Sequence, residues 1–109
     1  MKIRKLFDLP PGDKNPRNSE GSFLRLKDGR IVFAYSRYSG TSSDDGAYCE
    51  IAAIYSSDNG ETFSEPKILV RPDKSRGETN CMSVSLLELP NGDAGLFYLV
   101  KHTGMWSEM

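Results

Sequence analysis

Apolar and polar residues alternate in short runs along most of this chain, and Gly, Asn, Asp or Pro separates one run from the next. A period of two belongs to half-buried β-strands, and no stretch holds the 3.6-residue period of an amphipathic helix. Ser22 to Leu26 sets Phe23 on one face with Leu24 and Leu26 on the other. Ile31 to Arg37 returns from a Lys27-Asp28-Gly29-Arg30 turn and is rich in β-branched and aromatic residues. Further strands are predicted at Tyr48 to Tyr55, Phe63 to Val70, Val84 to Leu89 and Ala94 to Val100. Lys2 to Leu9 allows one more short strand, closed by Pro10-Pro11-Gly12. The intervening segments are a polar loop from Gly12 to Ser22, a Gly/Ser/Thr/Asp loop from Ser39 to Gly46, and a charged connector from Arg71 to Thr79. The fold class is all-β.

The second hairpin repeats the first. Ser22 to Gly29 aligns without a gap with Ser85 to Gly92, and Ile31 to Tyr35 aligns with Ala94 to Tyr98, at a constant offset of 63 positions. The unit so repeated is a hairpin, a loop and another hairpin, which are the four strands of a propeller blade.

The hairpin that closes this unit turns at Ser56-Ser57-Asp58-Asn59-Gly60-Glu61-Thr62-Phe63. Gly60 supplies a positive φ, and Asp58 is placed to bond the backbone of its own turn. Ser56-x-Asp58-x-Gly60-x-Thr62-Phe63 resembles the Asp-box of sialidases and other bacterial neuraminidase repeat proteins, with Phe63 where Trp is commoner. The resemblance covers nearly the whole chain and includes Arg17-Asn-Ser-Glu-Gly and Asn80-Cys-Met-Ser-Val-Ser, which are similar to an exo-α-sialidase branch. It implies a six-bladed β-propeller, with a first blade at about 17–70 and the start of a second at about 80–109. In that family the box is structural. The next box would fall past residue 109, so the chain is expected to supply about one and a half blades and to lack activity by itself.

The same resemblance implies a substrate, a sialylated glycan or related acidic sugar, whose carboxylate calls for arginines. Arg17 and Arg37 match two substrate-facing arginines of the family, although the usual Arg-Ile-Pro is here Arg17-Asn18-Ser19-Glu20, which brings Glu20 to the same rim. Asp44 and Asp45 match the loop that carries the acid/base Asp. Asp45 is preferred, since its spacing to the box resembles the family's better. Asn80 and Met82 begin an inner strand where the family puts substrate-facing residues. The nucleophilic Tyr and its Glu would come from later blades. Each candidate also has a plain structural reading: Arg17 and Glu20 as solvated charges, Arg37 in a salt bridge with Asp44 or Asp45, Met82 as core. A non-catalytic propeller binding glycan or protein is the alternative function.

Charge narrows the partners. Fourteen Lys and Arg against 15 Asp and Glu leave a net charge of −1, which gives no reason to expect a nucleic-acid or membrane partner. No run is long enough for a membrane helix, and the first twelve residues lack an apolar signal core, so a cytoplasmic location is expected. Cys49 and Cys81 lie in strand-like contexts and read as buried reduced thiols. With one histidine, His102, and no full calcium-loop spacing, neither metal nor cofactor is expected. An open blade would leave strand edges able to self-associate.

Overall fold

The computed structural model describes residues 2–40, 47–102 and 107–108. They form an all-β open sheet with no α-helix among the described residues; a single 3-10 turn, Lys74–Arg76, lies in the charged connector. In order, the strands are β1 (Arg17–Arg25), β2 (Ile31–Tyr38), β3 (Cys49–Ser56), β4 (Lys67–Val70), β5 (Glu78–Glu88), β6 (Ala94–His102) and β7 (Ser107–Glu108). Strands β1 to β4 are an antiparallel meander. At the start of β3, the edge that β4 occupies further along passes to β5 through one parallel pair, Cys49 with Asn80. From there the β5–β6 hairpin folds back across one face of β1–β3.

Several boundaries differ from the sequence pattern, among them the start of β5, which lies at Glu78 and not at Val84. β1 begins five residues earlier than Ser22, at Arg17, because Asn15 donates from Nδ2 to the Tyr38 carbonyl at 2.7 Å and pins the incoming chain to the end of β2. Lys2 to Leu9 forms no strand; it lies as a strap over the sheet, with Phe7 edge-on to Phe63 at 5.3 Å between ring centroids. Phe63 to Pro66 is likewise irregular, so the strand predicted from Phe63 reduces to Lys67–Val70.

The 63-residue offset has a structural counterpart in each hairpin. Leu26 N–H donates to the Arg30 carbonyl at 2.7 Å, and Leu89 N–H donates to the Asp93 carbonyl at 2.7 Å. Gly29 and Gly92 have φ of 93° and 91°, the left-handed conformation that glycine takes without steric cost. The side chains of Asp28 and Asn91 each accept the backbone N–H two residues on, both at 3.0 Å. Phe23 faces Phe33 as Leu86 faces Leu96, and both first strands carry a register shift, between Ser19 and Gly21 and between Met82 and Ser85.

Alternation sorts the β1–β3 side chains onto two faces. One face carries Leu24, Val32, Ala34, Ile51 and Ala53, and it packs on Cys81, Val84, Leu86, Leu96, Tyr98 and Val100 of the second hairpin. Hydrogen bonds cross between the layers: Ser36 Oγ accepts the Ser83 N–H at 3.0 Å, and Ser22 Oγ accepts the Leu86 N–H at 3.1 Å. The opposite face carries Phe33, Tyr35, Ala52 and Ile54, with Leu9, Phe63 and Ile68 beside them. Phe33 lies flat across the backbone of Gly21, where a Cβ would meet its ring at 2.3 Å. The equivalent pair in the second hairpin is Val84 and Leu96, so small-with-aromatic has become branched-with-branched. Both cysteines are buried and unbridged; burial pushes the Cys49 thiol up to about 12 and the Cys81 thiol up to about 11.

Candidate functional site

The Ser56–Phe63 turn is held by its own side chains. Asn59 and Gly60 take positive φ, 59° and 89°, which folds the backbone back on Ser56. The buried Ser56 hydroxyl donates to Asp58 Oδ1 at 2.8 Å and accepts the Gly60 N–H at 2.8 Å. Asp58 then accepts the Thr62 N–H at 2.9 Å and the Thr62 hydroxyl at 2.6 Å. Phe63 anchors the exit in the apolar cluster beneath the strap. A carboxylate receiving hydrogen bonds from Thr62 and Ser56 is stabilised in its charged form, and Asp58 is held at about 2, below its ordinary 3.8. Its folded-state value is depressed, so its stabilising contribution is complete above about pH 4 and vanishes as pH falls through about 2. In urea unfolding across that window, wild type is expected to lose stability faster than Asp58→Asn. Asp28 and Asp73, also held low by hydrogen bonds, are common to both proteins and cancel in the comparison. Parallel curves would remove Asp58 from the acid sensitivity of the fold.

A second set of polar residues gathers at the end of the sheet where β1 begins and β2 finishes. Pairing across the strands places Asn18, Arg37 and Glu50 in one row. Glu50, whose side chain is 7% exposed, accepts a hydrogen bond from Arg37 Nη1 at 3.2 Å, which orients that guanidinium, and Arg71 Nε lies 3.5 Å from its other oxygen. Tyr48 stands nearby with its ring under Lys74, 5.1 Å from Nζ; burial first, and the Glu50 carboxylate second, push its phenol above the ordinary value. The adjacent row is Arg17, Tyr38, Cys49 and Asn80, whose side chains alternate to the other face. There the Arg17 guanidinium sits 4.8 Å above the Tyr38 ring.

The candidates named from sequence therefore divide. Arg17 and Arg37 share one end of the sheet on neighbouring strands but belong to adjacent rows. Arg37 pairs with Glu50; Asp44 and Asp45, the partners that the sequence suggested for it, lie outside the described residues. Their loop nonetheless departs and returns at this end, since Gly40 N–H donates to the Lys14 carbonyl at 3.0 Å and Ser39 N–H to the Tyr48 carbonyl at 3.3 Å. Glu20 sits at the register shift of β1, exposed, and accepts from the Ser19 hydroxyl at 2.6 Å. Asn80 is buried and donates to the Ala47 carbonyl at 2.7 Å. Met82 is core, packed with Cys49 and 3.9 Å from the Tyr38 hydroxyl.

Sequence reasoning missed Glu50, Arg71, Tyr48 and Lys74. One signal was present: Glu50 is the lone charge in an otherwise apolar and aromatic run from Tyr48 to Tyr55, and a carboxylate at a buried strand position needs a cation opposite it. A groove of about 480 Å3 opens on the same face as Arg37, between the strap and the sheet, walled by Leu6, Leu9, Phe23, Phe33, Tyr35 and Phe63. Among the described residues, no three His, Cys, Asp or Glu side chains gather in a way that would hold a metal ion. Compared with known proteins, the chain matches no family model and no curated protein.

Proposed function

We propose that this chain is part of a sialidase-like β-propeller and that the arginine-bearing end of its sheet receives the carboxylate of a sialic acid or a related acidic sugar. In this reading β1–β4 are the first blade, β5–β6 open the second, and Ser56, Asp58, Gly60, Thr62 and Phe63 form the Asp-box of the first. The observation that carries the reading is the ionic row itself: Arg37 is held by the buried Glu50 carboxylate, with Arg71 beside it, at the end where the 41–46 loop is rooted, and Arg17 stands at the same end on the opposite face. A guanidinium fixed in advance loses less freedom when it takes a carboxylate in its fork. Asp45 from that loop is proposed as general acid, and Asp44 as its neighbour.

Titration of the chain with N-acetylneuraminic acid, followed by amide and guanidinium NMR, tests this. Shifts are expected at Arg37, and the methyl ester of the same sugar should produce none. Equal responses to acid and ester, or no response to either, would overturn the assignment. The fixed geometry of Arg37 also suits a propeller that binds without hydrolysis. Release of the aryl group from an aryl sialoside separates the two readings.

A further inference from the structure

The connector from Arg71 to Thr79 is closed by its own polar groups. Pro72 is buried at its start. Asp73 accepts the Ser75 N–H at 3.0 Å and the Ser75 hydroxyl at 2.6 Å, and Gly77, at a φ of 76°, donates its N–H to the Lys74 carbonyl at 3.1 Å. Glu78 accepts the Asp73 N–H at 2.9 Å and stands 3.8 Å from Arg76 Nε. The two acidic residues of the connector are thus engaged within it, with Arg76 beside them. Arg71 and Lys74 instead meet the first unit. Lys74 Nζ stands 5.1 Å from the centre of the Tyr48 ring, and Arg71 Nε lies 3.5 Å from the Glu50 oxygen that Arg37 does not hold. The Tyr48 phenol feels the charges of both Glu50 and Arg71, which brings the group together around one carboxylate. Three cations, Arg37, Arg71 and Lys74, therefore meet one anion, in a chain whose net charge is −1. They are also graded in depth: the Arg37 side chain is 27% exposed and that of Arg71 66%. The groove beneath the strap is lined by other residues, so this end of the sheet lies clear of it.

We propose that Arg71 and Lys74 hold a second anionic group of the ligand whose carboxylate Arg37 receives, so that the site selects acidic sugars bearing two anions over those bearing one. The inference rests on the sugar-binding reading and narrows the ligand class of that same site. Arg37, the deeper cation, takes the first carboxylate, and the outer pair meets whatever the ligand carries toward solvent. With Nε turned to Glu50, Arg71 offers its two terminal nitrogens as a fork, and Lys74 adds a point charge beside it. The closed connector keeps both cations at this end before any ligand arrives, so little ordering is left for binding. The second anion has two sources with the same chemistry: the carboxylate of the next acidic sugar, or a phosphate on the same sugar. An exposed ion pair is worth at most about fivefold in affinity, so two cations on one anion give about five- to tenfold at low salt.

NMR titration of the 109-residue chain with three ligands tests this: N-acetylneuraminic acid, its α2,8-linked disaccharide and its 9-phosphate. At least one of the two dianions is expected to bind about five- to tenfold tighter than the monosaccharide, to shift Arg71 as well as Arg37, and to lose this advantage as salt is raised. An advantage for the disaccharide alone places the second anion on the neighbouring sugar, and one for the phosphate alone places it on the same sugar. Lys74→Gln leaves both partners of Glu50 in place and should abolish most of the advantage; Arg71→Gln should do the same. Lys27→Gln removes an equal charge at the turn on the opposite end of β1 and β2 and should retain it. Equal affinity for all three ligands, with Arg37 still responding, overturns this inference and spares the carboxylate site. An advantage that falls as far in Lys27→Gln as in Lys74→Gln also overturns it, since net charge would then account for the difference. No response at Arg37 to any of the three overturns the carboxylate site and this inference with it.

Discussion

Arg37→Ala is expected to lower folding stability by about 3 kcal/mol, because it leaves the buried Glu50 carboxylate facing Arg71, a longer partner at 3.5 Å that is 66% exposed. The cost belongs to the uncompensated charge more than to the lost attraction. Removing the charge in the same protein, as Arg37→Ala with Glu50→Gln, should therefore recover much of the loss. A cycle of wild type, the two single variants and the double variant in urea should give a coupling of at least about 1 kcal/mol. Simple additivity would mean that the ion pair carries no structural weight. Arg37→Lys separates stability from recognition. A lysine keeps the charge near Glu50 but offers no planar fork, so the fold should persist while the response to the acidic sugar falls. If lysine sustains the response, Arg37 acts as a charge alone.

The largest loss from a single core residue is expected at Ile51. It is fully buried on β3, paired across the strands with Ser36 and Val70, on the face that meets the second hairpin. Ile51→Ala removes methylene surface and leaves a cavity between layers that cannot both close on it, at a cost of about 2–5 kcal/mol. A domain of this size holds about 5–15 kcal/mol in total, so the urea midpoint should fall by about a third at the middle of both ranges. Leu69→Ala, on the exposed side of β4, is the control and should move the midpoint little. Similar shifts at both positions would mean that the two layers are not packed as one core.

The strands were legible in the sequence wherever turn chemistry and alternation agreed. Gly29 and Gly92 required left-handed backbone, Phe23 opposed Leu24, and the repeat followed from both. Asp58 could be placed in its turn because its partners lie within a few residues. Failures came where distant contacts decide. Asn15 extends β1 toward the N-terminus by reaching the carbonyl of Tyr38, which no local pattern announces. Lys2 to Leu9 is apolar enough for a short strand, yet Phe7 packs on Phe63 and Leu9 on the sheet face with no strand partner for the backbone. The Arg37–Glu50 pair depends on the register of β2 against β3, and the loop between these strands conceals that register from inspection. Met82 carried two readings, a rim position by resemblance and a core position by its residue type, and it packs in the core.

The Gly21–Phe33 contact limits how the two units can diverge. Any side chain at position 21 would collide with the ring at 33, whereas the second unit accommodates Val84 by carrying Leu96. Substitutions at the two sites are therefore mutually conditional: a valine at 21 needs the aromatic gone and the Ala34 carbonyl, 2.8 Å from its Cβ, shifted as well, and an aromatic at 96 needs the valine gone. Copies that began alike could reach their present states through a shared intermediate with a small residue at both positions of the pair, at the cost of a cavity. The route between the two solutions is narrow, and each unit is now confined to its own.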